Sequence, residues 1–177
     1  MEIIYFHGPV TQPVFREYAD RVHFVKGKDS ELLTKEALSK MHNKLIILDD
    51  CYSDICEKDL IRFLYTTLSH HNSLGCLMLL HNLYSQSIAM LREIILNSNL
   101  FAFTFSPANK SMLKTWAIQF FPEKWRSVLS ILDHCFNESR FGYCTFDFSP
   151  FKNDRFRISN NLTPEEGDRC FYLFKDN

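Results

Sequence analysis

The sequence predicts an α/β domain in which a mostly parallel sheet is flanked by helices. Short apolar runs alternate along the chain with longer segments of helical period. The short runs are apolar at consecutive positions, which is typical of strands that are buried on both faces. Strands that alternate with helices favour parallel βαβ units with right-handed crossovers. A length of 177 residues suits one such domain.

The predicted strands are apolar, β-branched or aromatic runs that end at turn-forming or polar residues. The first ends at Gly8-Pro9, the second near Gly27 and the fifth at Ser106-Pro107. In chain order the strands cover residues 2–6, 22–25, 44–48, 75–80, 100–105 and 142–148. Parallel strands bring their carboxyl ends to one edge of the sheet, and that edge is where such folds carry their chemistry.

Helices are predicted in the segments between these strands. They cover residues 12–20, 30–41, 57–68, 86–98, 109–121 and 123–137. Asp29 or Ser30 is the predicted N-cap of the second helix, and Pro122 separates the last two. The residues after the last strand are polar and show little periodicity. We therefore expect a core of residues 1–150 and a partly ordered tail of residues 151–177.

Composition and charge exclude several classes of protein. Apolar residues make up 46% of the chain, which is enough to build a core and argues against a disordered chain. The net charge of −1 means that nucleic acid would have to bind a local patch or assembled copies. No apolar stretch is long enough to span a bilayer. Six scattered cysteines, no CxxC pair and no secretory signal favour an intracellular protein of the cytoplasm or nucleus.

The strongest chemical signal is the strand of residues 45–48, which runs directly into Asp49 and Asp50. Mg²⁺ prefers oxygen ligands and keeps several of its waters, so Asp49 could hold this metal. Asp50 could orient or deprotonate an attacking water. This is the Walker B pattern of nucleotide hydrolases. An acidic pair at a strand end is also common as a solvated loop start or a helix cap, and that interpretation stays open.

Three further residues could complete such a site. The next strand ends at His81-Asn82, and an amide at that level could sense a γ-phosphate or position water. The alternative is that Asn82 turns the chain before the next helix. Arg92 lies on that helix and is either solvated or an arginine finger for a neighbouring subunit. For the segment Ser69-His70-His71, capping of a helix end is the favoured account.

Taken together and in order, these motifs resemble the FtsK/HerA class of P-loop ATPases. More narrowly, they resemble the genome-packaging ATPases of Polinton (Maverick) elements and related large DNA viruses. The resemblance covers most of the chain and is carried by Leu-Ile-Ile-Leu-Asp-Asp at 45–50, Leu-Ser-His-His-Asn at 68–72, His-Asn-Leu-Tyr at 81–84, Leu-Arg-Glu-Ile at 91–94, Phe-Thr-Phe-Ser-Pro at 103–107 and Phe-Gly-Tyr-Cys-Thr-Phe-Asp-Phe-Ser-Pro at 141–150.

The resemblance implies a partial P-loop NTPase core of the RecA-like kind, with ATP and Mg²⁺ as cofactors. It implies that Asp49 is the Mg²⁺-associated acid and that Asp50 activates water. His81 and Asn82 would lie in the polar sensor segment, and Arg92 would match a family arginine, for which we infer a role in trans from its position. Members of the family form ring-shaped homo-oligomers on duplex DNA and associate with virions, so an intact homologous subunit is a further expected partner, and a membrane is not.

The sequence departs from the family at the phosphate-binding loop. The motif of that loop, GxxxxGK followed by Ser or Thr, does not occur in the sequence. In the family this loop makes most of the contacts that bind the phosphates. His81 replaces a sensor Gln, and Ser106-Pro107-Ala108-Asn109 replaces Asn-Pro-Arg-Asp. We therefore expect no ATP hydrolysis by this chain alone, and an open sheet edge or apolar gap where a strand is missing.

Two other interpretations of the sequence stay open. One is a non-catalytic interaction or assembly module that is derived from such an ATPase and keeps its subunit interface. The other is an unrelated α/β enzyme, such as a metal-dependent nuclease, that uses Asp49 and Asp50. A nuclease needs further acids near the strand ends, and Asp147 is the one obvious candidate.

Overall fold

The computed structural model describes residues 2–10, 12–27, 30–49, 60–80, 94–104, 106, 109–138 and 142–174. The chain divides into two compact units, Met1–Asn97 and Ser98–Asn177. The division predicted from the sequence, at residue 150, differs from this one and stays a prediction. None of the helices in the described ranges is long and apolar enough to cross a lipid bilayer.

The first unit contains a four-stranded, entirely parallel sheet. Its strands are β1 (Glu2–His7), β2 (Val22–Lys26), β3 (Lys44–Asp49) and β4 (Gly75–Leu79), in the spatial order β2-β1-β3-β4. The sequence prediction is confirmed to this level: the protein is α/β, and a parallel sheet carries the first four predicted strands. The strand bounds agree with the predicted ones to within one residue.

The segments that connect β1, β2 and β3 are less helical than predicted. A 3-10 helix of four residues, Pro13–Arg16, takes the place of the helix expected over residues 12–20. Helix α1 (Lys35–Ser39) starts later than predicted because Thr34 is its N-cap, with the Thr34 hydroxyl accepting the Ala37 N–H at 3.1 Å. Ser30, one of the two predicted caps, instead accepts the Leu32 N–H in a preceding turn.

The segment before β4 is helical from Leu60 to His71 but changes type along its length. It consists of α2 (Leu60–Phe63), a π-helical turn (Leu64–Leu68) and α3 (Ser69–His71). Residues 57–59 of the predicted helix lie outside the described residues, as do residues 86–93 of the next one; residues 94–97 of that helix are helical. These helices cover one face of the sheet. The apolar core on that face contains Ile4, Phe6, Leu33, Leu38, Ile46, Leu48, Leu60, Leu64 and Leu68.

The second unit contains a three-stranded antiparallel sheet with the order β5-β6-β7. Its strands are β5 (Leu100–Thr104), β6 (Tyr143–Asp147) and β7 (Ile158–Ser159). The expectation that the strands at 100–105 and 142–148 continue a parallel sheet is wrong, because β5 and β6 pair antiparallel with each other. The strand bounds themselves were predicted to within two residues.

The connection between β5 and β6 explains this difference in direction. Two packed helices, α4 (Lys110–Phe120) and α5 (Trp125–Glu138), link the strands through a short turn that contains Pro122. One helix returns the chain to the end of the sheet where the strand began, and the next strand is then parallel. A helical hairpin makes two passes, so the chain re-enters the sheet from the opposite end.

An aromatic core fills the second unit. Trp116 is fully buried and contacts the rings of Phe103 and Phe146 at centroid distances of 4.7 Å each. The predicted tail is described through residue 174 and adds β7 to the sheet. A buried polar contact holds β7 in place: the Thr145 hydroxyl lies 2.8 Å from both the carbonyl oxygen and the hydroxyl of Ser159.

Candidate functional site

The topology of the first unit singles out one edge of its sheet. From β1 the chain goes to β2 on one side, then crosses over to β3 on the other side of β1. This change of direction is a topological switch point. In open parallel α/β sheets, ligands bind beyond the carboxyl ends of the two strands that flank such a point. Those ends carry His7 on β1 and Asp49 on β3.

Tyr5 and Asp49 are joined directly at this edge. The Tyr5 hydroxyl donates a hydrogen bond to Asp49 Oδ2 at 2.6 Å, and both residues are half-buried. Tyr5 pairs in register with Ile47, so Asp49 lies two residues farther along β3 and on the same face of the sheet. A phenol that donates to a carboxylate makes a short, charge-assisted bond. This bond fixes the orientation of the Asp49 carboxylate.

His7 completes the polar group at the end of β1. Phe6 of β1 pairs with Leu48 of β3. One residue farther along both strands, the same register places His7 beside Asp49. The side chain is buried, with 7% exposed, and Nδ1 lies 2.7 Å from the Gly8 carbonyl oxygen. A carbonyl oxygen can only accept, so Nδ1 carries the proton and donates it to this bond. In the neutral ring Nε2 is then the acceptor.

Phe15 covers these polar side chains on the face of the sheet opposite the main core. Its ring centroid lies 5.0 Å from that of His7 and 5.4 Å from that of Tyr5, and it stacks on Phe24 at 4.5 Å. Phe15 comes from the 3-10 helix that follows β1. That short connection therefore places an aromatic side chain over the site, where a glycine-rich loop would offer backbone N–H groups instead.

The parallel pairing of β3 with β4 shows how far along the strand direction the predicted sensor segment, His81-Asn82, follows the position beside Asp49. Asp49 pairs with Leu79, so Asn82 follows three residues after the position beside Asp49. An extended chain would carry it roughly 10 Å beyond Asp49 at about 3.3 Å per residue. Asn82 reaches the carboxylate only if the chain turns back after Leu80. Four predicted site residues lie outside the described residues: Asp50, His81, Asn82 and Arg92.

Two further residues that the sequence singled out, Ser69 and Asp147, have structural partners. The Ser69 hydroxyl donates to the Tyr65 carbonyl oxygen at 2.9 Å, within the helix end. Asp147, the extra acid of the nuclease alternative, lies in the second unit and accepts the Ser149 N–H at 3.0 Å as well as the Ser149 hydroxyl. Burial alone would raise the pKa of Asp147, but these hydrogen bonds, with Lys152 and Arg157 nearby, lower it. Asp147 thus closes a turn.

Sequence reasoning missed Tyr5 and His7. Both are aromatic residues that carry polar atoms, they lie at alternate positions of β1, and this was the available signal. Their relation to Asp49 depended on the sheet order, which periodicity does not give. Within the described ranges, no group of three or more His, Cys, Asp or Glu side chains could hold a metal ion.

Comparison of the chain with protein-family models, with curated proteins and with solved structures gave no match.

Proposed function

We propose that this chain is the Walker B-containing part of a DNA-packaging or DNA-translocating ATPase and that it does not hydrolyse ATP on its own. The observation that carries the proposal is the position of Asp49. It ends an internal strand of a parallel sheet, at the switch point, with β4 parallel and in register beside it. This is the setting in which an acid manages a nucleotide-bound Mg²⁺ and the neighbouring strand supplies a polar sensor.

Asp49 is the described residue that would hold the metal. A carboxylate oxygen is a ligand that Mg²⁺ prefers, and bound Mg²⁺ neutralises charge on the phosphates. The hydrogen bond from Tyr5 fixes one carboxylate oxygen and so limits how the group can turn. In the proposal Asp50 orients the attacking water, and the Asn82 amide senses the γ-phosphate or positions that water. Arg92 acts as an arginine finger at the site of a neighbouring subunit, in a ring that surrounds duplex DNA.

The expected lack of activity follows from the connection after β1. It contains Gly8 and Pro9 and leads into the four-residue 3-10 helix Pro13–Arg16. A phosphate loop needs several glycines, a Lys and the N-terminus of an α-helix. Charge-assisted phosphate contacts are worth roughly 1.5–3 kcal/mol each, so the loss of several weakens nucleotide binding by orders of magnitude.

One observation favours a second candidate, the non-catalytic assembly module. Among the described residues, β4 pairs with β3 on one side, and no described strand covers its other side. Leu77 and Leu79 of this strand expose 46% and 43% of their surface. An apolar edge strand is a site for pairing with another chain. A second copy of this chain or an intact homologous ATPase subunit is then the proposed partner.

The decisive assay for the ATPase proposal is phosphate release from Mg²⁺-ATP by the purified chain, with Asp50→Asn and Tyr5→Phe measured beside it. We expect the wild-type rate to equal that of Asp50→Asn and of buffer alone. A wild-type rate that disappears in Asp50→Asn would show that the chain has its own phosphate site, and the proposed inactivity would be wrong.

The assembly candidate has a separate test, which is the mass of the particles that the chain forms in solution. Sedimentation of the wild-type chain, alone and with duplex DNA, is compared with that of a Leu77→Lys, Leu79→Lys double variant. We expect self-association in the wild type and monomers in the variant. A monomeric wild type at all concentrations would count against a role for the β4 edge in assembly, while leaving the ATPase assay unaffected.

A further inference from the structure

The second unit carries a cavity of about 530 Å³ that has no part in the proposed ATPase chemistry. It is open to solvent, and its lining comes from the C-terminal end of α4, from the segment that follows β6 and from residues 172–174. Sites for small molecules have volumes of roughly 300–1,000 Å³ and combine apolar walls with a few polar groups that orient the ligand. The cavity has the size of such a site, and its lining decides which class of ligand fits.

Most of the apolar lining is aromatic. Phe148 lies 5.0 Å from Phe120 and 5.7 Å from Phe121 between ring centroids, and Phe121 lies 5.9 Å from Phe174. We call these four rings the aromatic wall. All four side chains are half-buried, so part of each is accessible to a ligand. Because aromatic rings pair favourably with other aromatic rings, the wall favours a ligand that contains one.

Lys124 is the cation of the lining that a ligand can use. Among the described residues, no carboxylate lies within ion-pair distance of its ammonium group. The two other cations are engaged. Arg157 Nε donates to Asp154 Oδ1 at 2.6 Å, and Arg155 has an interaction of its own. A ligand with a single anionic group therefore matches the charge that the cavity offers.

Lys124 is held beside the aromatic wall. Its ammonium group lies 4.8 Å from the ring centroid of Phe174, and the side chain is exposed. Because positive charge and a ring face lie this close together, a ligand that uses both must carry its anion on or next to its own ring. An aryl carboxylate with a short linker has this shape, whereas a fatty acid has no ring to place against the wall.

We propose that this cavity binds a small aromatic carboxylic acid as its anion, with the ring against the aromatic wall and the carboxylate at Lys124. The residues that carry the assignment all belong to the second unit. The inference is therefore independent of the proposed ATPase function, and either can fail while the other stands.

Titration calorimetry of the full chain with three probes tests the ligand class. Indole-3-acetate has both the ring and the carboxylate, indole-3-acetamide keeps the ring without the charge, and decanoate keeps the charge on a flexible chain of similar size. We expect indole-3-acetate to bind roughly two- to fivefold more tightly than the amide, since Lys124 is exposed. It should bind roughly two- to tenfold more tightly than decanoate, which forms no ring pair.

Three results of this titration would count against the proposal. If indole-3-acetate does not bind, or if decanoate binds as tightly or more tightly, the cavity is not a site for an aromatic acid. Equal affinity for indole-3-acetate and its amide would overturn the assigned position of the carboxylate.

Variants of Phe174 test the position of the ring. Phe174→Leu keeps an apolar side chain but removes one ring of the wall, so it should weaken indole-3-acetate roughly two- to tenfold and affect decanoate less. Phe174→Tyr keeps the ring and should bind like the wild type. Phe151→Leu is the matched control, because Phe151 is fully exposed in the same unit and does not line the cavity. Unchanged affinity in Phe174→Leu, with the circular dichroism of the wild type, would overturn the assignment.

The position of the carboxylate has its own pair of variants. Lys124→Gln removes the charge, so it should abolish the preference for indole-3-acetate over the amide and leave the affinity for the amide unchanged. Lys114→Gln is the control, since Lys114 also lies over an aromatic ring, that of Trp125 at 5.3 Å, and does not line the cavity. Retention of the preference in Lys124→Gln, or equal weakening of both ligands, would show that Lys124 does not bind the carboxylate.

Discussion

The two units of the chain build their interiors from different residues and in different ways. The first packs mostly aliphatic side chains against one face of a parallel sheet and places its polar groups at the carboxyl ends of the strands. The second packs rings around Trp116 and buries its polar contact, between Thr145 and Ser159, inside the sheet. In the first unit the polar side chains therefore lie at the carboxyl ends of the strands, whereas in the second they hold strands together.

This contrast also shows where a ligand site can form in each unit. A parallel sheet with a switch point creates a polar crevice from its topology alone. Among the described residues of the second unit, the antiparallel sheet has no parallel switch point, and its cavity is lined by side chains that follow α4 and β6 and by residues 172–174. The polar group of the first unit is thus set by the order of the strands.

The largest expected effect is that of Trp116→Ala on the aromatic core. Truncation of a fully buried Trp leaves a large cavity and should lower the free energy of unfolding by about 3–5 kcal/mol, measured by urea denaturation. Hydrogen exchange should show lost protection in residues 98–174 and retained protection in β1 and β3. Loss of protection in both units would show that their cores are not separate.

Two variants serve as controls for that truncation. Trp116 Nε1 is buried, with no hydrogen-bond partner among the described groups, so Trp116→Phe removes an unsatisfied donor and should cost clearly less than Ala. Ile118→Ala, at an exposed position of the same helix, should change stability by no more than about 0.5 kcal/mol. Equal losses in Trp116→Phe and Trp116→Ala would contradict the packing account.

Thr145→Val should have the next largest effect, because it breaks the buried polar contact of the second unit. The Ser159 hydroxyl would lose a partner while remaining buried, although Arg169 still donates to it at 3.0 Å. Unfolding should become easier by about 1–3 kcal/mol. Thr145→Ser keeps the hydroxyl and should recover much of this difference. If Thr145→Val and Thr145→Ser melt at the same temperature, the contact between Thr145 and Ser159 contributes nothing to stability.

Tyr5→Phe tests the edge of the first unit and should have a smaller effect. It removes the hydrogen bond to Asp49 from a half-buried site, at a cost of about 1 kcal/mol in urea denaturation. The Asp49 carboxylate should also become more mobile, which NMR relaxation of labelled aspartate can detect. An unchanged stability together with an unchanged Asp49 signal would show that Tyr5 does not orient the acid.

The smallest expected effect concerns acid stability. The folded-state pKa of Asp147 is lowered, so this group contributes stability above its unfolded pKa, and the contribution is lost as the pH falls through the folded value. Ser149→Ala removes one donor and should raise the Asp147 pKa toward its ordinary range, as seen in a carboxyl carbon titration. A pKa that stays lowered would assign the shift to the retained Ser149 N–H together with Lys152 and Arg157 instead.

The sequence predicted the positions of the strands well, but it predicted how the strands assemble into sheets only in part. Consecutive apolar residues located β1 to β4, but the expected burial on both faces is wrong for β4, whose Leu77 and Leu79 expose 46% and 43% of their surface. The same pattern in β5 and β6 suggested a parallel sheet, and it could not reveal that the hairpin of α4 and α5 reverses the second strand. The start of α1 was placed too early, since Ser30 and Thr34 are both good caps and only tertiary packing chooses between them.

The candidate site was predictable only in its acid. A strand that ends in two aspartates is a local signal, so Asp49 could be identified directly from the sequence. Tyr5 lies 44 positions away in the chain and reaches Asp49 through the pairing of β1 with β3. Long-range pairing of this kind leaves no short-range signature, because side-chain period reports only which face a residue occupies.

The most direct test of the ATPase proposal is the distance between the Asn82 amide and the carboxylates of Asp49 and Asp50. A crystal structure of the chain would provide it. The account predicts that the chain turns after Leu80 and brings the amide within one bridging water of a carboxylate. If Asn82 instead continues along the strand direction, roughly 10 Å beyond Asp49, the sensor arrangement and the proposed kinship are both contradicted.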